Sequence, residues 1–355
     1  MKKLCLIVPD LHKGGMERVM AELANYFYQK EDTIVHIILL LNQAKIFYKI
    51  PPEVSVLRPS FTFSNKWRLL STIRTLFFLR RTIRRLDPDS VLSFGETYNS
   101  FVLLSCLFLK TRVFVSDRSR PDKKWGFIQE NLRRILYPKA AGIVAQTTYS
   151  RDFLAKETGH KNIRVIPNPI KEFEKPSVEK ENIVLNVGRL IKSKRIDLLL
   201  NIFSKCENKD WVLWIVGENE TGNEELLVKL SEELKIADRV KFWGKQEDMN
   251  RFYGLARIFA FTSESEGLPN VLLEAMGAGL ACISFDCIAG PRDLIDDGVN
   301  GYLVRLHDCE TYASKLNTLI EDPEIREIFS KNAVKKTGEF DIHIIGEKFY
   351  NFLLS

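Results

Sequence analysis

Short apolar runs of strand length alternate with longer stretches of helical periodicity along most of the chain. Residues 4–8, Leu-Cys-Leu-Ile-Val, read as a buried strand; Gly14-Gly15 makes a turn, and Met16 to Phe27 carries apolar positions at helical spacing. Further strands are expected at Thr33 to Leu41, Ser90 to Phe94, Arg112 to Ser116 and Gly142 to Ala145. Two prolines then break the pattern in Val165-Ile166-Pro167-Asn168-Pro169-Ile170, polar residues follow from Lys171 to Asn182, and the domain linker is expected there. A second series begins with Ile183 to Val187 and continues with Trp211 to Val216, Val240 to Trp243, Ile258 to Thr262 and Ala281 to Phe285.

Strands that alternate with helices predict parallel sheets covered on both faces. The fold class expected is therefore α/β, with two Rossmann-like parallel-sheet domains. The first would span 1–168 and the second 169–335, with a helix in 336–355 returning towards the first. Such sheets bind ligands at the carboxyl ends of their strands, so a ligand is expected in a central cleft that both domains face.

Composition changes this picture in two places. The six cysteines, Cys5, Cys106, Cys206, Cys282, Cys287 and Cys309, form no Cys-x-x-Cys pair and have no histidine at metal-ligand spacing, so they read as reduced packing residues. The apolar run of the amino terminus stops at Pro9 and Asp10, too short for an export signal, and the run Phe101 to Leu109 is half a membrane span and reads as a buried helix. A cytoplasmic protein is expected. Charge is asymmetric: residues 1–170 carry 28 Lys and Arg against 14 Asp and Glu, whereas 171–355 carry 24 against 32. An acidic partner should therefore meet the first half.

Two segments carry candidate chemistry. In Ser263-Glu264-Ser265-Glu266-Gly267-Leu268-Pro269-Asn270-Val271-Leu272-Leu273-Glu274 a strand runs into a turn and Pro269 opens a helix, whose free amides and positive dipole end suit phosphate. Glu266 in the loop and Glu274 in the helix could contact different parts of one extended ligand, or be a helix-start charge and a solvated helix residue. In Asn186-Val187-Gly188-Arg189-Leu190-Ile191-Lys192-Ser193-Lys194-Arg195, Arg189 and Lys194 follow a strand and can neutralise a diphosphate without a metal; a basic loop can equally be a solvated surface. Neither Gly-x-Gly-x-x-Gly nor a Walker loop occurs.

The two glutamates with seven residues between them, together with Gly188-Arg189-Leu190 and Lys194, resemble family 4 of the retaining GT-B glycosyltransferases. Gly14-Gly15 with Glu17-Arg18, Trp211 to Gly217, Trp243-Gly244 and Asn300-Gly301-Tyr302-Leu303-Val304 fall in the order of that family. The resemblance implies that Arg189 and Lys194 hold the donor diphosphate and stabilise its departing charge. It implies that Glu274 binds the ribose, that Glu266, the amides at Gly267 and Leu268, and Asn270 hold the rest of the donor, and that Gly14 and Gly15 admit the diphosphate from the first domain. The family often places a histidine near the sugar after a first-domain strand; that place holds Asp117 here, which would then be catalytic, or would cap a turn or pair with Arg118 or Arg120. No cofactor and no metal are implied. Cys287 to Asp293 resembles a subgroup that transfers galactose-type or N-acetylated sugars in bacterial surface polysaccharide assembly.

Lys66 to Leu86, KWRLLSTIRTLFFLRRTIRRL, places Leu69, Ile73 and Leu76 on one helical face and Arg74, Arg81 and Arg85 on another. With Lys66, Arg68, Arg80 and Arg84 it has the make-up of an interfacial helix drawn to anionic lipid, or of a core helix with an arginine-rich outer face. No nucleic-acid motif accompanies the charge. The function expected is transfer of a hexose or N-acetylhexosamine from a nucleotide diphosphate sugar, with UDP as its nucleotide, to a lipid-linked saccharide, by a peripheral protein at the inner face of the cell membrane. A nucleotide-sugar epimerase on the same architecture, and a non-catalytic membrane module that binds nucleotide sugar, are the alternatives.

Overall fold

The apolar runs build two parallel sheets, one of seven strands and one of six. The computed structural model describes residues 1–12, 14–42, 46–121, 123–170, 179–220 and 222–355. The chain divides into one compact unit of Met1–Pro169 with Asp341–Ser355, and a second of Ile170–Phe340. Of the polar stretch expected to link two domains, residues 171–178 lie outside the described residues.

The first unit runs β1 (Lys2–Val8), α1 (Gly15–Tyr28), β2 (Thr33–Leu39), β3 (Ser55–Leu57), α2 (Arg68–Leu86), β4 (Ser90–Phe94), α3 (Glu96–Cys106), β5 (Arg112–Ser116), α4 (Phe127–Leu136), β6 (Gly142–Ala145), α5 (Thr148–Thr158) and β7 (Ile163–Val165). Its strand order is β3-β2-β1-β4-β5-β6-β7. β1 therefore pairs in parallel with β2 on one side and with β4 on the other, and the order reverses between β1 and β4. In sheets of this topology the crevice at the reversal, outside the carboxyl ends of the strands, is where ligands bind.

The second unit runs β8 (Ile183–Val187), α6 (Ile196–Ser204), β9 (Val212–Val216), α7 (Asn223–Glu233), β10 (Val240–Phe242), α8 (Met249–Leu255), β11 (Ile258–Phe261), α9 (Asn270–Gly277), β12 (Ala281–Asp286), α10 (Pro291–Leu294), β13 (Tyr302–Arg305), α11 (Cys309–Glu321) and α12 (Pro323–Thr337). The order β10-β9-β8-β11-β12-β13 reverses between β8 and β11. The loops after these two strands are the two segments singled out in the sequence. The last helix, α13 (Ile342–Leu354), belongs to the first unit, where Phe349 and Phe352 pack against Phe94 and Phe114 on one face of the sheet. Leu79 and Ile83 of α2 and Val102 and Leu103 of α3 are buried in the core on the other face.

Two expectations need correction. Val165 is not in a linker but ends β7, paired with Ala145 at the sheet edge; a strand of three residues followed closely by two prolines carries too little periodicity to be read. The run Phe101 to Leu109 is not one buried helix. α3 stops at Cys106, and Phe108, at positive φ, is 97% exposed. Five cysteines are buried and Cys309 is half-buried, all of them free thiols.

Candidate functional site

The loops after β8 and β11 are tied by hydrogen bonds to the main-chain carbonyls of Ser193 and Lys194. The Glu264 amide donates to the Ser193 carbonyl at 2.9 Å, Thr262 Oγ1 to the Lys194 carbonyl at 3.0 Å, and Ser263 Oγ to the Ser193 carbonyl at 3.2 Å. This lacing brings Lys194 Nζ to 2.5 Å from Glu266 Oε1, an ion pair of which both side chains are less than one-fifth exposed. Lys194 Nζ also lies 5.5 Å from the centroid of Phe261. A short 3-10 turn, Lys192–Lys194, and the left-handed Arg195 (φ 51°) bend the chain between β8 and α6. Arg195 is held there by Asp197 and Glu264.

Small residues let these loops approach. The carbonyl of Gly188 lies 1.8 Å from where a Cβ on Gly217 would stand, so any side chain there would displace the loop after β8. Behind the other loop, a Cβ on Gly290 would meet Pro269 Cδ at 2.3 Å and the Gly267 carbonyl at 2.6 Å, and Gly290 is at φ +94°. The segment from Cys287 thus backs the start of α9. Among the described residues, no protein group accepts from the amides of Gly267 and Leu268, which remain available to an anion together with the positive end of α9.

Glu274 projects from α9, and the hydroxyl of buried Tyr253 donates to its Oε2 at 3.1 Å. Tyr253 is one of two positioning groups that the sequence did not announce; the other is Glu220, which pairs with Arg189 at 3.0 Å on an exposed surface. Neither stands at a motif spacing, so only the fold reveals them. Lys194, Glu266, Gly267 and Leu268 share the crevice edge between β8 and β11, Glu274 follows within α9, and Arg189 lies further out.

In the first unit, Gly14 is extended (φ −158°) before α1, and the Tyr48 hydroxyl holds it, accepting from its amide at 3.0 Å and donating to its carbonyl at 2.7 Å. Gly15 is exposed at the first helical position. Asp117, after β5, faces inward: it is 6% exposed, and its Oδ1 accepts from the Tyr137 hydroxyl at 2.6 Å and from Asn99 Nδ2 at 3.0 Å. Burial pushes its carboxyl well above the ordinary carboxylate range, with Glu96 adding to the rise and the two hydrogen bonds opposing it. Among the described residues Arg118 makes no hydrogen bond to this carboxylate, although it feels its charge. Arg118 instead lies 3.6 Å from the Phe94 ring centroid and donates to Asn168, and burial lowers its pKa to about 9. Glu96 receives the amides of Arg118 and Ser119 at 2.7 and 2.6 Å.

α2 buries Ser71, Thr75, Leu79, Thr82 and Ile83, and turns Leu69, Leu70, Ile73 and Phe77 to solvent, with Trp67 exposed just before it. That is the reverse of a core helix with a polar outer face. Among the described residues none of its arginines enters an ion pair, and the helix contains no acid. One expected contact is corrected: Arg80 donates to the carbonyls of Ser105 and Leu107 at 3.0 and 2.7 Å, so its charge caps α3. α4 was not anticipated, yet it leaves Phe127, Ile128 and Ile135 exposed beside Arg134. Its ten residues were masked by the charges around them; the signal was the spacing 128, 132, 135. Among the described residues, no helix is long and apolar enough to cross a membrane.

Residues 13–172 match the family model described as Glycosyltransferase Family 4, and residues 168–336 that described as Glycosyl transferases group 1. The chain is 27% identical to the amylovoran biosynthesis glycosyltransferase AmsD of Erwinia amylovora, covering 99% of this chain and all of that one. It is 28% identical to a Campylobacter jejuni α-1,4-N-acetyl-D-galactosaminyltransferase that acts on a diphospho-undecaprenol-linked saccharide, over 99% of this chain and 98% of that one. Among solved structures, the apo lipopolysaccharide outer core galactosyltransferase WaaB superposes with a TM-score of 0.80 at 23% identity, covering 99% of both chains. Anabaena HepE, in complex with UDP, superposes with a TM-score of 0.79 at 18% identity, again over 99% of both chains.

Proposed function

The chain belongs to glycosyltransferase family 4 and has the GT-B fold, and from that premise we propose that it transfers a hexose or N-acetylhexosamine from a UDP-sugar to a lipid-linked saccharide, with retention and without a metal ion. The observation that carries the reading is the Lys194–Glu266 pair at the start of α9, where a cation, a carboxylate and two open amides adjoin at the reversal of the sheet order. The donor diphosphate would lie against Lys194 and the amides of Gly267 and Leu268, with Glu266 released to accept hydrogen bonds from the sugar hydroxyls. Glu274, oriented by Tyr253, would accept from the ribose.

In the reaction the acceptor hydroxyl forms its bond to the anomeric carbon on the face from which the diphosphate departs. The bond between that carbon and the diphosphate oxygen breaks, and the leaving phosphate takes the hydroxyl proton. Charge builds on the departing diphosphate, so a fixed ammonium and fixed amides that need no reorganisation lower the barrier. The UDP donor and the lipid-linked acceptor are supported by what HepE binds and by what the Campylobacter enzyme acts on. The solvent-facing Trp67, Leu69, Leu70 and Phe77 with the unpaired Arg68, Arg74, Arg81, Arg84 and Arg85 support a peripheral position at the anionic cytoplasmic face of the membrane.

The test is release of nucleoside diphosphate from a panel of UDP- and GDP-sugars, with and without membrane extract that contains lipid-linked saccharides. Release from one UDP-sugar that depends on the extract is expected. Conversion of the nucleotide sugar without any acceptor would instead indicate an epimerase, and binding without turnover a non-catalytic module.

A further inference from the structure

At the edge of the second sheet opposite the donor residues lies a hollow of about 320 Å³ with three cations on its wall, Lys180, Arg257 and Arg326. Lys180 precedes β8, Arg257 stands immediately before β11, and Arg326 is near the start of α12. Gly279, between α9 and β12, and Ser330 of α12 also line it. β8 and β11 are parallel neighbours, so these positions gather at their amino ends, whereas Lys194, Glu266 and the start of α9 lie beyond their carboxyl ends.

Main-chain carbonyls fix each cation. Lys180 Nζ donates to the Gly279 carbonyl at 2.9 Å and to that of Ala278 at 3.4 Å. Arg257 donates to the Lys180 carbonyl through Nη2 and Nε, at 2.8 and 3.1 Å, and to Asn182 Oδ1 at 2.9 Å. Arg326 Nη1 donates to the carbonyls of Leu319 and Ile320 at 2.6 and 2.9 Å. Among the described residues its Nε and Nη2 meet no acceptor, and neither is sealed from solvent.

Counter-charge is missing. Among the described residues none of the three cations enters an ion pair, and the one acid on the wall, Glu327, pairs with Lys331 at 3.0 Å on the exposed side of α12. Asp322, whose charge Arg326 feels, caps α12 by accepting from the amides of Glu324 and Ile325 at 2.9 and 3.0 Å. The carbonyl ends of α9 and α11, which Lys180 and Arg326 close, each offer about half a charge, against three full ones. The cations also feel one another. Burial lowers the pKa of Lys180 to about 8, with Arg257 adding to the fall and Cys282 and Glu327 opposing it; burial and Arg257 likewise lower that of Arg326. Closing two helix ends accounts for two of these cations and leaves Arg257 to add repulsion. A dianion in the hollow turns that repulsion into attraction, and guanidinium forks suit the oxygens of phosphate.

We propose that this hollow is a binding site for a phosphoryl dianion, a free phosphate or a small phosphate monoester, held by Lys180, Arg257 and Arg326 and separate from the crevice assigned to the donor. A nucleotide is the poorer occupant, because the volume stands at the lower limit of small-ligand sites, about 300 Å³. A ligand there joins the residues before β8 and β11 to the end of α9 and to α12, so it should also raise the melting temperature.

The test is calorimetric titration of the full chain with inorganic phosphate and with glycerol 3-phosphate at constant ionic strength, with and without saturating UDP. Binding that UDP leaves unchanged is expected. It should weaken about tenfold or more in Lys180→Gln and in Arg326→Gln, each of which removes one charged hydrogen-bond donor; circular dichroism checks both folds, and either variant serves should the other fold poorly. Lys335→Gln, which removes a charge from α12 at an exposed position outside the hollow, should bind as the parent does. Tighter binding of the ester names a monoester as the occupant and any other order names free phosphate, and both uphold the site. No heat from either ligand, affinity that survives both glutamines, or an equal loss in Lys335→Gln overturns it. Displacement of phosphate by UDP moves the anion to the crevice and overturns the hollow as well. Failure of UDP to bind, with phosphate binding present in the parent and lost in the two variants, would count against the donor reading alone.

Discussion

Compare the loops at the start of α9 with the outer face of α2 and α4. At the first, charges are neutralised within the protein: Lys194 by Glu266, Arg195 by Asp197 and Glu264, Arg189 by Glu220. On the second, five exposed arginines of α2, Arg68, Arg74, Arg81, Arg84 and Arg85, stand in a helix without a single acid, among exposed Leu, Ile and Phe. The first arrangement holds its geometry before any ligand arrives, because hydrogen bonds between the loops, from the Glu264 amide and the Thr262 hydroxyl, fix where the Lys194 and Glu266 charges sit. The second is left incomplete, and only an external apolar and anionic partner would complete it. Pre-organised charge serves chemistry at one point, whereas uncompensated charge beside apolar surface serves attraction over an area.

The largest effect is expected where that pre-organisation is broken. Lys194→Ala should lower turnover about 10²–10³-fold, the range for removing one fixed group that stabilises transition-state charge, with the melting temperature little changed. Single-turnover kinetics on purified protein measure it, and turnover within twofold of the parent would remove Lys194 from the diphosphate site. Glu266→Gln keeps the shape and releases Lys194, so it should impair sugar binding more than folding.

The outer face should respond to a different perturbation. Leu69→Ser with Phe77→Ser should cut partition into vesicles of phosphatidylcholine and phosphatidylglycerol by about tenfold or more, with solution binding of UDP unchanged. Raising the ionic strength from 0.1 to 1 M shortens the screening length from about 10 to about 3 Å, and should weaken what remains. Binding that ignores both would make the exposed side chains an ordinary surface. Arg189 lies between the two cases. It is more than half exposed and already paired with Glu220, so Arg189→Ala should cost turnover only about tenfold, well short of Lys194→Ala.

The α/β class, the alternation of elements and the family were legible because buried parallel strands read as continuous apolar runs and because the Glu266 to Glu274 spacing lies within one segment. The Lys194–Glu266 contact was not legible as a contact, since it needs β8 and β11 to be neighbours although 72 residues separate the pair. Short edge strands such as β3 and β7 carry too few residues to show a period. The face of α2 was legible in its residues but not in its orientation: Ser71, Thr75 and Thr82 are the buried side, and polar residues of that size can pack inward when their hydroxyls bond within the helix, as Thr75 Oγ1 does to the Ser71 carbonyl at 2.9 Å.

The smallest effect on turnover is expected at Asp117. Its carboxyl accepts from Tyr137 and Asn99, both within the first unit and both buried. Because burial raises its folded pKa, the folded chain holds the proton at a pH where the unfolded chain has lost it. Stability from this group is therefore complete below the ordinary carboxylate pKa of about 4 and falls as pH rises through the raised folded value. Asp117→Asn keeps an oxygen for both donors and removes the titration, so it should flatten the decline in melting temperature across that window and leave turnover within about twofold of the parent. Asp117→Ala should instead leave the buried Tyr137 hydroxyl without its acceptor, while Asn99 keeps the Ser116 carbonyl, at a cost of about 1–3 kcal/mol. If Asp117→Asn lowered turnover a hundredfold while folding as well as the parent, the carboxylate would have to act on the reaction, and the inward hydrogen bonds would be its means of orientation rather than its whole task.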